Sequence, residues 1–60
     1  MPDNPDLAAF IARVREHRQK LRNAVRIIRF RHAMHAPLPE WIITMNDREW
    51  LIVLRRVNRP

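Results

Sequence analysis

Five prolines and not one glycine punctuate this chain, and that punctuation limits its architecture more than any other feature. Without glycine, turns that need a positive φ fall to residues that adopt it at a cost. Proline sets the boundaries instead: Pro2 and Pro5 near the start, Pro37 and Pro39 in the middle, Pro60 last. Between them lie two uninterrupted stretches, residues 4–35 and 40–57, joined by Ala36-Pro37-Leu38-Pro39. No repeat or low-complexity tract divides the chain further, so residues 1–60 read as one small domain.

A domain this short buries only about 60% of the surface its unfolded chain exposes, so its core stabilises it weakly. Cysteine is absent, which removes disulfides and thiolate metal sites as supports. The remaining metal-ligand types are the carboxylates and His17, His32 and His35. His32 and His35 stand three apart with only Glu40 near them in sequence, and His17 lies on the apolar side of its helix. That set falls short of a closed site, so the histidines read as boundary or surface residues and no metal or cofactor is expected. By elimination, self-association or docking on a larger partner should supply the missing stability.

The first stretch opens as a helix. Asn4 suits the N-cap, Pro5 the first helical position, and Asp6 the positive end of the helix dipole. At about 100° per residue, Leu7, Phe10, Val14, Leu21, Ala24, Val25 and Ile28 share one face. Arg15, Arg18, Arg22, Arg26 and Arg29 form a second stripe at spacings of three and four. A helix from Pro5 to about Arg29 would be roughly 37 Å long. The β-branched run Val25-Arg-Ile-Ile-Arg-Phe-Arg31 leaves open a helix that ends near Asn23 and passes into a strand.

The second stretch fits two periods. If Asn46-Asp47 is a two-residue turn, Ile43 faces Trp50 and Trp41 faces Ile52. Alternation then gathers Trp41, Ile43, Met45, Trp50, Ile52 and Leu54 on one side. The other side, with Ile42, Leu51 and Val53 among charged residues, would be exposed together with a strand edge. Alternatively, Asn46-Asp-Arg-Glu49 is a capping box, and Trp50, Val53, Leu54 and Val57 fall at helical spacing. The hairpin accounts for both apolar runs with one assumption. The expected fold is therefore α+β, one long amphipathic helix packed on a C-terminal antiparallel β-hairpin of two or three strands. An all-α helical hairpin is the alternative. Trp41, Ile42, Leu51 and Val53 are the expected interface residues of a homodimer or of a subunit in a larger complex.

Eleven arginines and one lysine against six acids give a formal charge of +6. Such an excess attracts DNA or RNA, an anionic membrane surface or an acidic protein. Glu16 is the only acid between Leu7 and Pro39, and it stands at i, i+4 from Lys20. The stripe is thus left without balancing carboxylates, and Arg55, Arg56 and Arg59 add a second basic cluster. Trp41 and Trp50 could stack on unpaired bases, but core or interface packing suits them better. No apolar run approaches the 20 residues that span a bilayer, and Met1-Pro-Asp-Asn-Pro-Asp6 lacks the basic and apolar regions of a secretory leader. A cytoplasmic location without membrane contact is expected.

The run Ile42–Val57 resembles the terminal hairpin of the RelE/ParE toxin family over about a quarter of the chain. The resemblance implies a ribonuclease toxin, for which His32 and Arg56 would be the residues to change, and no residue role is carried over from it. The chain offers no Ser-His-Asp set, no Cys-His set and no paired carboxylates in an apolar setting. The expected function is accordingly non-enzymatic: a small basic regulatory protein, of the size phages and plasmids encode, that binds nucleic acid through Arg15, Arg18, Arg22, Arg26, Arg29, Arg55 and Arg56. The alternative is an inhibitor or adaptor that docks on an acidic surface of a larger complex.

Overall fold

The computed structural model describes residues 5–59, of which 80% are helical and none is in a strand. Three helices follow in chain order: α1 over Pro5–Ala33, α2 over Glu40–Ile43 and α3 over Asp47–Val57. The Asn4 cap lies outside the described residues. With no proline or glycine between Asp6 and Ala36, nothing in the backbone interrupts α1. The β-branched run Val25–Arg31 stays helical because Val25 and Ile28 prolong the apolar face laid down by Leu21 and Ala24. Burial of that face outweighs the small β preference of the residues themselves.

α1 stops where glycine would normally serve. His35 takes up the left-handed conformation, with φ 54°. Its N–H donates to the His32 carbonyl (3.2 Å), and the Ala36 N–H donates to the Arg31 carbonyl (2.9 Å). These are the two bonds of a Schellman motif. Arg31 then reaches forward and donates from Nη1 to the Pro37 carbonyl at 2.6 Å, which fixes the direction in which the chain leaves the helix.

The expected hairpin is overturned. Glu40–Ile43 forms a single turn, and Asp47–Val57 is a helix whose start is built as a complete capping box. The Asn46 side chain accepts from the Glu49 N–H at 2.8 Å, and the Asn46 N–H donates to Glu49 Oε1 at 3.3 Å. Asp47 and Glu49 in the first turn and Arg55 and Arg56 in the last complement the helix dipole. The strand reading also chose the wrong parity. Trp41 and Ile43, assigned to the inner sheet face, are 39% and 60% exposed, whereas Ile42 and Val53, assigned to the outer face, are wholly buried. Arrangement at i, i+3 carries Ile42 and Met45 into one core, which no strand register of this segment does. The likeness to a toxin hairpin falls with the hairpin.

That core consists of Leu21, Ala24, Val25, Ile42, Met45 and Val53, flanked by Ile27, Ile28, Leu38, Trp50, Ile52 and Val57. Glu49, in the first turn of α3, meets His17 and Lys20, while Arg56 in the last turn meets Arg29. α3 thus ascends in the same direction as α1. The helices are all-α without being an antiparallel hairpin, because residues 34–46 return the chain to the middle of α1 before α3 begins.

Candidate nucleic-acid interface

The five stripe arginines all fall within α1, and each is exposed. At 100° per residue they occupy roughly 80° of the helix circumference, beside the apolar face and along about 21 Å of axis. α1 holds them in this register because its hydrogen-bond ladder continues through residue 33. Arg29, the last of the five, donates from Nη2 to the Arg56 carbonyl at 2.8 Å. This bond satisfies one of the orphan carbonyls at the end of α3. It also brings the expected second cluster, Arg55 and Arg56, to the Arg29 end of the stripe. Arg55, Arg56 and Arg59 are exposed as well.

No arginine forms an ion pair with a carboxylate among the described residues; both ion pairs found there converge on Glu49. His17 Nε2 lies 2.9 Å and Lys20 Nζ 3.2 Å from Glu49 Oε2. Lys20 therefore turns to Glu49 across the helix interface, not to Glu16 one turn back as its spacing suggests. Burial pushes the Glu49 carboxyl up. Hydrogen bonds from Lys20, the Asn46 backbone N–H and His17, together with the Lys20 charge, outweigh that push and hold it below the ordinary carboxylate value.

The four residues expected to form an interface separate. Ile42 and Val53 are spent on the internal core, while Trp41 and Leu51 are exposed at 39% and 53%. Trp50 is half-buried against the core, whereas Trp41 lines a shallow hollow with Glu16, Gln19, Lys20 and Asn23. His32 and His35 are exposed, and among the described residues no three His, Cys, Asp or Glu side chains are grouped to hold a metal ion. No described helix is long and apolar enough to cross a membrane.

Two features escaped the sequence reading. One is the Glu49 hub, whose pairing with residues 32 and 29 positions away has no signal in local spacing. The other is an open groove of about 550 Å³ bordered by Arg26, Ile27, Phe30 and Arg31 on α1 and by Met34 just beyond its end. Phe30 and Met34 are 66% and 62% exposed there; their spacing of four on the side away from the core was the available sign. What the arrangement offers chemically is a row of permanently charged hydrogen-bond donors on a continuous helix, of the kind that engages phosphate or carboxylate oxygens. Comparison with protein-family models, curated proteins and solved structures found no match for the chain.

Proposed function

We propose that this protein is a non-enzymatic regulator that binds nucleic acid along the phosphate backbone through Arg15, Arg18, Arg22, Arg26 and Arg29, extended by Arg55 and Arg56. The observation that carries this reading is that five exposed guanidinium groups share one side of α1 and none is neutralised by a carboxylate among the described residues. Duplex DNA concentrates one phosphate charge per about 1.7 Å of axis with condensed counterions, and cations aligned on a rigid rod release them on contact. Such contacts position a protein without reading sequence, so weak base discrimination is expected.

Salt titration tests it. The five stripe contacts alone imply a log–log slope near −4.5, a loss of about 500-fold in affinity from 50 to 200 mM salt, and contacts from Arg55 and Arg56 would steepen it to about −6. Replacing Arg22 and Arg26 by Gln should lower the slope by about 2 and leave the fold unchanged, since both side chains are exposed. A loss below about threefold over that range means the stripe does not contact phosphate. A second reading, docking on an acidic protein surface, is favoured by the apolar pair Phe30 and Met34 between Arg26 and Arg31. Partners retained from lysate after nuclease treatment would support it over the first.

A further inference from the structure

The face of α1 that enters the core does not stop where the core stops. The first side chain of α1 bonded to α3 is His17, and the buried positions of α1 begin at Leu21. Residues 5–16 lie before both, over about 18 Å of helix. On them the same face continues as Leu7, Phe10 and Val14 with Ile11 at its margin, and Phe10 and Ile11 are 58% and 43% exposed. We propose that this segment joins two copies of the chain, the N-terminal parts of their α1 helices packing antiparallel about a two-fold axis near Phe10 and Ile11.

Three observations favour a second copy as the occupant. A two-fold interface requires a patch that complements itself, and Leu7-x-x-Phe10-Ile11-x-x-Val14 has the same spacing read in either direction. Antiparallel apposition sets Leu7 against Val14 of the second copy and Phe10 against its Ile11. The lengths agree as well. In this apposition Pro5 of each copy reaches the level of Glu16 in the other, just short of the His17–Glu49 contact, so the described part of each overhang lies beside the other without meeting α3. Finally, the charges permit it despite +6 on each chain. In an antiparallel pair, flanks of the same hand meet. Arg15, where the stripe begins, would then stand about 13 Å along the axis from its counterpart, beyond a Debye length of about 8 Å at 0.15 M salt. On the opposite flank the two Arg13 residues stand closer, about 7.5 Å along the axis, and their repulsion is offset because Asp6 of each copy can accept from the other's Arg13 in addition to the contact it makes in its own chain. The two arginine stripes would share one side of the dimer as a track of about 56 Å. Only this last consequence rests on the phosphate-binding reading.

The test uses the full chain without nucleic acid. Sedimentation equilibrium near 0.15 M salt should return twice the chain mass, and Phe10→Asp should halve it with the far-ultraviolet circular dichroism unchanged. Because the chain has no cysteine, single-cysteine variants report proximity. Phe10→Cys should oxidise to a covalent dimer far faster than Phe30→Cys, although Phe30 is the more exposed side chain at 66%. A wild-type monomer at tens of micromolar, an unchanged mass for Phe10→Asp, or equal cross-linking of the two cysteine variants overturns the proposal.

Discussion

Glu49 holds three groups from two parts of the chain with one carboxylate: His17 and Lys20 on α1, and the Asn46 N–H that opens α3. Its folded-state affinity for protons is reduced, so the unfolded chain takes up a proton first as the pH falls. The stabilisation is present above the ordinary carboxylate value and disappears as the pH drops from there through the lowered one. Urea midpoints for wild type should fall between pH 7 and pH 3 by more than those of Glu49→Gln. At neutral pH Glu49→Gln should lose about 1 kcal/mol, a modest figure because His17 and Lys20 remain half-exposed and screened. Equal acid sensitivity in the two proteins would show that other carboxylates govern it. His35 presents the opposite case, a residue whose backbone opposes its side chain. Left-handed geometry costs an ordinary residue on the order of 1–2 kcal/mol, and glycine avoids most of it at some entropic expense. His35→Gly should therefore raise the melting temperature, by the equivalent of about 0.5–1 kcal/mol.

At the scale of elements, the long helix was legible as far as about Asn23, its continuation over Val25–Arg31 stayed open against a strand, and the short helices were read as a hairpin. α1 repeats its apolar spacing over eight turns, with Leu21, Ala24, Val25 and Ile28 buried or half-buried where the spacing placed them. Its stripe of arginines was legible for the same reason, because a run without proline or glycine fixes the relative azimuth of every side chain. Residues 40–57 offer two apolar runs of about five, each compatible with period 2 and with period 3.6. What separates the periods is tertiary: which of Trp41 and Ile42 meets Leu21 and Val25 is decided by where residues 34–46 deliver the chain, and that path depends on the His35 turn. The reciprocal Asn46–Glu49 box and the helical spacing of Trp50, Val53 and Val57 were the local signals on the correct side. Asn46→Ala should accordingly cost about 1 kcal/mol and fray the start of α3. Amide exchange would show it as faster exchange at Arg48 and Glu49, with α1 unaffected. Uniformly faster exchange along the chain would mean that α3 does not open separately.

At the scale of the molecule, the structure extends 51 Å, and the six buried apolar residues among those described sit together with half-buried ones packed around them. A single core in a chain below about 70 residues supplies no more than about 3–5 kcal/mol. Removing the wholly buried Ile42 side chain costs on the order of 2–5 kcal/mol, since the cavity adds to the lost transfer energy. The two quantities are comparable. Ile42→Ala should therefore lose most of its helical signal at 25 °C in dilute solution. Anything that binds the folded form alone restores stability by mass action, about 2.7 kcal/mol at a hundred times its Kd. Saturating duplex DNA should then recover helix in Ile42→Ala if the stripe binds phosphate, and so should a higher protein concentration if a second copy covers Phe10 and Ile11. Recovery with DNA but not with concentration would place the missing stability in the phosphate contact. Recovery with concentration alone would place it in the apolar overhang of α1. A variant as helical as wild type in dilute solution would show that α1 stands without α2 and α3, and that the small core orders the stripe far less than its position suggests.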